Sequence, residues 1–154
     1  MGKIDSILEE IAGQFVYIDT NLFIYFLDQN TVFYPIASQL LEAAELGKFI
    51  AFTGDLTVAE TLVRPYQTRN LLLVSQFKDF FYADNFLSIQ LHNAETFDLG
   101  AKIRAVYGMK FADALHYATA IKAGCKFFIT NDKGICSSSE IEVILINDMI
   151  FDQN

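Results

Sequence analysis

Short apolar runs alternate with longer segments of helical spacing along this chain, and that alternation is what most constrains its fold. Five runs of five or six residues are rich in Val, Ile, Leu and Phe: QFVYI, FIAFT, FLSIQL, KFFIT and EVILI. The segments between them repeat apolar residues every three or four positions, which is typical of amphipathic helices. Strands that alternate with helices predict an α/β fold, with a parallel sheet covered by helices on both faces.

Helices are predicted between the strands, and proline, glycine and asparagine set their ends. After a first helix that follows Asp19, the predicted helices cover 35–46, 55–64, 71–82, 94–107 and 111–123. Pro35 suits a first helical turn, whereas Pro65 is expected to end its helix, because an interior proline removes a backbone hydrogen bond. Asn93 is placed as an N-cap, and Gly124 as a C-terminal stop.

No repeat, linker or low-complexity stretch interrupts this pattern, so residues 1–154 are predicted to form a single domain. No apolar run reaches the roughly 18 residues that a membrane-spanning helix requires. Residues 1–10 lack the order of a secretory signal, and Cys125 and Cys136 are too few for a disulfide framework. We therefore expect a cytoplasmic protein with reduced thiols and no membrane partner.

One carboxylate lies inside the most apolar stretch of the sequence. Asp19, together with Thr20 and Asn21, interrupts FVYIDTNLFIYFL directly after the first predicted strand. Burying a carboxylate in apolar surroundings is costly unless a partner compensates its charge. In open parallel sheets, ligands bind beyond the carboxyl ends of the strands, so Asp19 lies where chemistry is expected.

Three further acids occupy matching places. Glu60 lies early in the helix after the second strand, Asp113 opens the helix FADALHYATAIKAG, and Asp132 follows the strand KFFIT. Because the carboxyl ends of parallel strands meet at one edge of a sheet, all four acids are expected at that edge.

Each acid also has an ordinary structural explanation. Asp19 could be a helix N-cap, and Glu60 could form a capping box with Thr57. Asp113 could favour the positive end of its helix, and Asp132 could belong to a turn. Taken one at a time, these explanations leave open why all four acids fall at the same edge of the sheet.

Four carboxylates in one pocket require protonation of some members or a bound cation. Two carboxylates about 4 Å apart repel by roughly 4 kcal/mol at an effective dielectric constant near 20. Oxygen ligands without Cys or His favour a hard divalent ion, Mg²⁺ or Mn²⁺. Such an ion could hold a phosphodiester and lower the pKa of a bound water. The residues alone therefore predict a metal-dependent phosphoryl-transfer site.

The chain as a whole is acidic, with 19 Asp and Glu against 11 Lys and Arg and a net charge of −8. This argues against a protein that coats nucleic acid through general electrostatics, but not against an enzyme that contacts a few phosphates. The candidate phosphate-binding bases near the acidic motifs are Arg64, Arg69, Arg104, Lys110 and Lys133. Arg64 follows Glu60 by four residues, so an ion pair between these two is the favoured interpretation.

Four segments carry a resemblance to a known family: VYIDTNLFIY, TVAETL, KFADALHYATAIKAG and FFITNDKGI. In their order and separations they resemble the PIN-domain family of metal-dependent nucleases, especially the VapC-type toxins of bacterial toxin–antitoxin pairs. The resemblance spans nearly the whole chain, and the third and fourth segments together are specific. Ala112 departs from the pattern, since many members have proline before the third acid.

The resemblance implies a three-layer α/β/α PIN-like fold with a central parallel five-stranded sheet. It also implies endonucleolytic cleavage of RNA with Mg²⁺ or Mn²⁺ as cofactor, a small antitoxin protein as partner, and a homodimer. Carried onto this sequence, the catalytic and metal-binding acids are Asp19, Glu60, Asp113 and Asp132. Asn21 and Thr130 match positions that support the acids or metal-bound waters through hydrogen bonds.

Other functions fit parts of the pattern. A haloacid-dehalogenase-like phosphatase requires a second Asp two residues after the first, where this chain has Asn21. A receiver-like signalling module expects paired acids after its first strand, where only Asp19 lies. A non-catalytic PIN module stays open as an alternative: it would retain the metal site and act by binding RNA or a basic protein segment.

His116 and an aromatic cluster at 77–82 are two further features of the sequence that need an interpretation. His116 lies three residues after Asp113 and invites a general-base role, but a helix-packing histidine is the favoured interpretation. The cluster FKDFFY at 77–82 is not easily absorbed by one core, so part of a dimer or antitoxin surface is expected there.

Overall fold

The computed structural model describes residues 2–83 and 85–150. Its centre is a sheet of five strands, all parallel, in the order β3–β2–β1–β4–β5. The strands are β1 (Phe15–Ile18), β2 (Ile50–Gly54), β3 (Leu87–Gln90), β4 (Phe127–Thr130) and β5 (Glu142–Leu145). All five predicted strands are therefore present, each within a residue or two of its predicted ends.

Seven α-helices surround the sheet in the described residues. They are α1 (Lys3–Glu10), α2 (Thr20–Leu27), α3 (Tyr34–Glu45), α4 (Asp55–Gln67), α5 (Leu71–Tyr82), α6 (Ala94–Tyr107) and α7 (Phe111–Lys122). A 3₁₀ turn, Ile146–Met149, follows β5. Asn93 caps α6 with its side chain, and Gly108 ends it in the left-handed conformation, as its lack of a Cβ allows. The sequence analysis did not predict α1.

The two faces of the sheet bury separate cores, which makes the architecture three-layered. Val16 and Ile18 of β1 belong to the core that α1 to α5 complete. Tyr17, between them in the sequence, points the opposite way into a core with α6 and α7. The predicted α/β/α fold with a five-stranded parallel sheet is confirmed.

Strand β1 lies at the topological switch point of the sheet. From β1 the chain adds β2 and then β3 on one side, and later adds β4 and β5 on the other. In register, Tyr17 lies opposite Phe52 of β2 and Phe128 of β4. The crevice beyond the carboxyl ends of β1 and β4 is where an open α/β sheet binds its ligand.

Two expectations about particular segments are wrong. Helix α4 does not end at Pro65 but continues to Gln67, where the Thr68 amide bonds to the Arg64 carbonyl at 3.0 Å. The buried proline forfeits only the one hydrogen bond that its own nitrogen would donate. The 77–82 cluster is mostly core, since Phe77 and Phe81 are buried and, of its aromatic residues, Tyr82 alone is largely exposed.

Within the described residues, no helix has both the length and the apolar character needed to cross a membrane.

Candidate functional site

Asp19 lies between β1 and α2, where its two carboxylate oxygens have different partners. Oδ1 accepts a hydrogen bond of 2.8 Å from the Thr20 amide, so Asp19 is the N-cap of α2. Oδ2 accepts a hydrogen bond of 2.7 Å from Oγ1 of Thr130, at the end of β4. The side chain is buried, with 5% of the residue exposed. The N-cap explanation is correct, but it accounts for only one of the two oxygens.

The Thr130 hydroxyl connects the ends of β1 and β4. It donates to Asp19 and accepts from Nδ2 of Asn21 at 3.3 Å and from the Asp132 amide at 3.0 Å. One donated and two accepted bonds use the full capacity of a hydroxyl group. Oδ1 of Asn21, by contrast, is buried and finds no hydrogen-bond partner among the residues that the structure describes.

Glu60 projects from the interior of α4 toward the same edge. Its Oε1 accepts from Oγ1 of Thr20 at 2.9 Å and pairs with Nε2 of His116 at 2.6 Å. Helix α4 begins at Asp55 with Gly54 as its N-cap, so Thr57 lies inside the helix. The capping-box explanation for Glu60 is therefore wrong.

His116, on α7, is almost completely buried between the acids. Its Nδ1 lies 2.7 Å from the hydroxyl of Tyr17, and its Nε2 lies 3.8 Å from Oδ1 of Asp19 in addition to its bond with Glu60. The residue is 1% exposed. His116 thus packs within the helix layer, as expected, but it also contacts two of the four acids.

The charges of His116 and Glu60 stabilise each other. Burial alone lowers the pKa of His116, but the hydrogen bond that its Nε2–H donates to Glu60 and the charges of Asp19 and Glu60 outweigh this effect, so the pKa is raised. Burial alone raises the pKa of Glu60, but the hydrogen bond and positive charge of His116 prevail, so that pKa is lowered. Both shifts favour an ion pair.

Asp19 and Asp113 are destabilised as anions. Burial raises the pKa of Asp19, despite the opposing effects of His116 and of the Thr130 hydrogen bond. The pKa of Asp113 is raised to about 6, first by burial and then by the adjacent carboxylate of Asp132. Asp19 adds to this repulsion. The acidic network therefore holds more negative charge than His116 neutralises.

Asp113 and Asp132 also fit their ordinary explanations. Asp113 lies in the first turn of α7, where the helix dipole favours a negative charge. Asp132 accepts a hydrogen bond of 2.8 Å from the Gly134 amide, as a turn residue does. These local tasks do not remove the repulsion between the two carboxylates, which the raised pKa of Asp113 records.

All four predicted acids belong to one connected network. Hydrogen bonds and close charges link Glu60 through His116 to Asp19, and Asp19 through Thr130 to Asp132. Asp113 joins through its repulsion by Asp132. Among residues 2–83 and 85–150, however, no three Asp, Glu, His or Cys side chains converge as a ready-made metal-binding group.

The expected ion pair between Arg64 and Glu60 does not form. Arg64 instead lies 3.7 Å from Asp28 at the end of α2, while Glu60 turns toward His116. The buried imidazole is the closer and better-shielded partner for Glu60, and the exposed Arg64 reaches outward. Arg104 donates to the Met109 carbonyl at 2.8 Å, an internal contact.

Three neighbours of the acids were not predicted from the sequence to belong to the site: Tyr17, Thr20 and His116. Tyr17 and Thr20 flank Ile18 and Asp19 in the segment VYIDTNLFIY and gave no separate signal. The position of His116, one helical turn after Asp113, was a usable signal. Its contact with Glu60 depends on how α4 and α7 pack, which no local pattern reveals.

The fold and site together define an α/β protein with a network of acidic side chains at the switch point of a parallel sheet. The family model of the PIN domain matches residues 16–140. The chain therefore belongs to the PIN-domain family, as its four segments indicated. No curated protein gives a significant sequence match.

Solved structures share this fold at low sequence identity. A toxin–antitoxin complex from Klebsiella pneumoniae has a TM-score of 0.63 at 20% identity, covering 85% of this chain and 97% of that one. VapBC2 from Rickettsia felis, bound to a DNA fragment from its promoter, has a TM-score of 0.65 at 15% identity, covering 85% and 98%. Mycobacterium tuberculosis VapC20, a sarcin–ricin loop cleaving toxin, has a TM-score of 0.62 at 12% identity, covering 73% and 86%.

Proposed function

We propose that this protein is a metal-dependent endoribonuclease, the toxin of a toxin–antitoxin pair, which hydrolyses RNA phosphodiester bonds. The observation that carries the proposal is the four-carboxylate network at the switch point of the sheet. Membership of the PIN-domain family supports it, and so does the structural likeness to toxins of this kind.

The side chains suit Mg²⁺ or Mn²⁺ in chemical type. Asp19, Asp113 and Asp132 offer carboxylate oxygens to hold the ion, and Glu60 would complete the set or orient a water. The buried, unpartnered Oδ1 of Asn21 is a further oxygen that a metal-bound water could satisfy. The repulsion that raises the pKa of Asp113 is what a divalent cation would relieve.

When bound, such an ion would supply an activated water and stabilise the charge that develops on the scissile phosphate. The residues of this chain act around that chemistry. Thr130 holds Asp19 and the backbone of Asp132 at a fixed spacing. His116 supplies the one positive charge buried among the acids and orients Glu60. Arg64, exposed one helical turn after Glu60 and 3.7 Å from Asp28, is a base that could contact substrate phosphates.

A small antitoxin and a homodimeric state belong to the same proposal. Two of the structural neighbours are toxin–antitoxin complexes, one of them with promoter DNA. A net charge of −8 would attract a basic partner segment, and an Arg or Lys of that segment could enter the acidic pocket.

The test is incubation of purified protein with a panel of RNAs in Mn²⁺. We expect cleavage that EDTA abolishes and that Asp19→Asn abolishes. The matched control is Asp98→Asn, the same chemical change on the exposed face of α6, where Asp98 pairs with Lys102; this variant is expected to cleave normally. Cleavage that persists both in EDTA and in Asp19→Asn would reject the proposal. Binding of Mn²⁺ without cleavage of any RNA would instead favour the non-catalytic metal-binding module.

A further inference from the structure

A buried chain of hydrogen bonds runs from the sheet to the exposed edge of the acidic site. It begins at the hydroxyl of Tyr17, passes through Nδ1 and Nε2 of His116, and ends on Oε1 of Glu60, with lengths of 2.7 and 2.6 Å. Tyr17 is 0% exposed and His116 is 1% exposed, whereas the Glu60 side chain is 38% exposed. Tyr17 and His116 are therefore fixed by packing, whereas Glu60 is not.

We propose that Tyr17 and His116 are positioning residues that hold the Glu60 carboxylate for metal binding, with Tyr17 fixing the imidazole so that its Nε2–H points at Glu60. The inference rests on the proposed function, because Glu60 matters in this way only if the acids bind a metal ion. It assigns a role to two residues that are not themselves metal ligands.

The count of donors and acceptors supports this arrangement. An ionised carboxylate only accepts, so the Nε2 atom that faces Glu60 must carry the hydrogen. The Tyr17 hydroxyl can donate to Nδ1 of a neutral ring or accept from Nδ1–H of a charged one. In both cases the ring keeps the same orientation, and Nε2–H stays on Glu60.

The contacts of Glu60 show why positioning is needed. Both of its hydrogen bonds within the described residues, from His116 and from Thr20, fall on Oε1. This leaves Oε2 available to a ligand at the site edge. A glutamate side chain has three rotatable bonds, and without a fixed partner it would sample several rotamers. Hydrogen-bond partners that orient metal-binding side chains typically change metal affinity by about 10-fold to 100-fold when removed.

The chain contains a matched control for Tyr17. Tyr117 is also 0% exposed, packs in the same core and contacts the same ring, Phe128. Its hydroxyl donates to the Cys136 carbonyl at 2.9 Å and not to His116. Tyr17→Phe and Tyr117→Phe therefore remove the same atom from two tyrosines of the same core, but only the first breaks the chain to Glu60.

The first measurement is the ¹⁵N NMR spectrum of the imidazole rings in the metal-free protein at one pH. The sequence has only two histidines, His92 and His116, so assignment is direct. We expect wild type and Tyr117→Phe to show a His116 Nε2–H that exchanges slowly with water. In Tyr17→Phe the ring nitrogen shifts should change and this proton should exchange faster, while the His92 signals stay the same.

The second measurement is Mn²⁺ affinity by titration calorimetry. We expect Tyr17→Phe to bind Mn²⁺ about 10-fold more weakly than wild type, and Tyr117→Phe to bind like wild type. As a second route, His116→Gln keeps an amide donor for Glu60 and His116→Met does not. The Gln variant is expected to bind Mn²⁺ more tightly than the Met variant.

The outcomes separate the two hypotheses. If wild type binds Mn²⁺ and Tyr17→Phe matches Tyr117→Phe in affinity, the positioning role is wrong and the proposed function stands. The positioning role is also wrong if His116→Met binds Mn²⁺ as tightly as wild type does. This second comparison tests the positioning role even if Tyr17→Phe fails to fold. If wild type binds no Mn²⁺ and cleaves no RNA, the proposed function fails and the positioning role falls with it.

Discussion

At the scale of single residues, the acidic site is built from side chains that perform a local task and a long-range task together. Asp19 caps α2 with one oxygen and reaches Thr130 with the other. Asp132 accepts from the Gly134 amide within its turn and also raises the pKa of Asp113. The ordinary and the functional explanations of these acids are therefore compatible.

Thr130 offers a clean test of one such residue. Thr130→Val keeps the shape of the side chain but removes the hydroxyl that serves Asp19, Asn21 and the Asp132 amide. Leaving buried polar groups unpaired costs about 1–3 kcal/mol, so the free energy of unfolding should fall by about that amount. Thr130→Ser keeps the hydroxyl and should lose less. Urea denaturation of both variants measures the difference, and equal losses would show that the hydrogen bonds are unimportant.

The raised pKa of Asp113 predicts that the stability of the fold decreases as the pH rises. Its pKa of about 6 in the folded protein lies above the ordinary 3.8, so the ionised form destabilises the fold. This penalty is absent below about pH 4 and complete above about pH 6. Asp113→Asn should therefore stabilise the protein at pH 7.5 in EDTA, by on the order of 1 kcal/mol once solvent screening and the lost dipole interaction are allowed for.

The gain from Asp113→Asn should shrink as the pH approaches 5, because Asp113 then takes up a proton in the folded state. Urea unfolding at pH 7.5 and at pH 5.2 measures this. Asp98→Asn, on the exposed side of α6, is the control and should change stability by less than about 0.5 kcal/mol at both pH values. A loss of stability on Asp113→Asn at pH 7.5 would show that repulsion from Asp132 is not the dominant effect.

At the scale of elements, local signals located helices and strands well but could not describe where elements meet. Asn93 caps α6 as predicted, and the helix ends at Tyr107 as predicted, because signals at helix ends act within one turn. The prediction that Pro65 ends α4 was wrong, because the effect of a proline on a helix depends on packing around its ring as well as on its missing N–H. The pairing of Glu60 with His116 depends on the approach of α4 to α7, and this lies beyond any local pattern.

The junction of β2 and α4 shows how closely the elements approach. A Cβ atom added at Gly54 would lie 3.0 Å from the Tyr17 hydroxyl and 3.0 Å from Cε1 of His92. Both rings are held, Tyr17 by His116 and His92 by Asp55 and Thr119. The backbone of Gly54 is extended and suits any residue, so space alone requires glycine.

Gly54→Ala should therefore destabilise the protein by about 1–3 kcal/mol through overpacking. In a Tyr17→Phe background the cost should be smaller, because one of the two crowding atoms is gone. A double-mutant cycle by thermal denaturation measures this coupling. Additive effects would mean that the hydroxyl of Tyr17 does not crowd position 54.

At the scale of the whole molecule, the alternation of strands and helices was sufficient to predict the layers and the direction of the strands. It could not predict strand order, because β1 pairs with β2 and with the distant β4 through backbone contacts common to all parallel sheets. The prediction that residues 1–154 form a single domain stays a prediction. So do the roles of the four acids, Asn21 and Thr130.

Metal binding should be visible in global stability. A ligand that binds only the folded state stabilises it by about 2.7 kcal/mol at a concentration 100 times its dissociation constant. Wild-type protein should therefore melt at progressively higher temperature as Mn²⁺ is added, and EDTA should reverse the gain. Asp19→Asn should show no such dependence, whereas Asp98→Asn should behave like wild type. Equal responses in Asp19→Asn and wild type would locate the bound ion elsewhere.

The order in which the chain supplies its acids has a consequence for synthesis in the cell. Asp19 and Asp132 are more than a hundred residues apart, and the hydroxyl that joins them arrives only with β4. A ribosome-bound chain that ends before β4 contains α2 to α5 but lacks Thr130, and with it the hydrogen bonds that connect Asp19 and Asn21 to the end of β4. Under the proposed function, the growing polypeptide would leave the messenger RNA that encodes it intact until β4 has been synthesised.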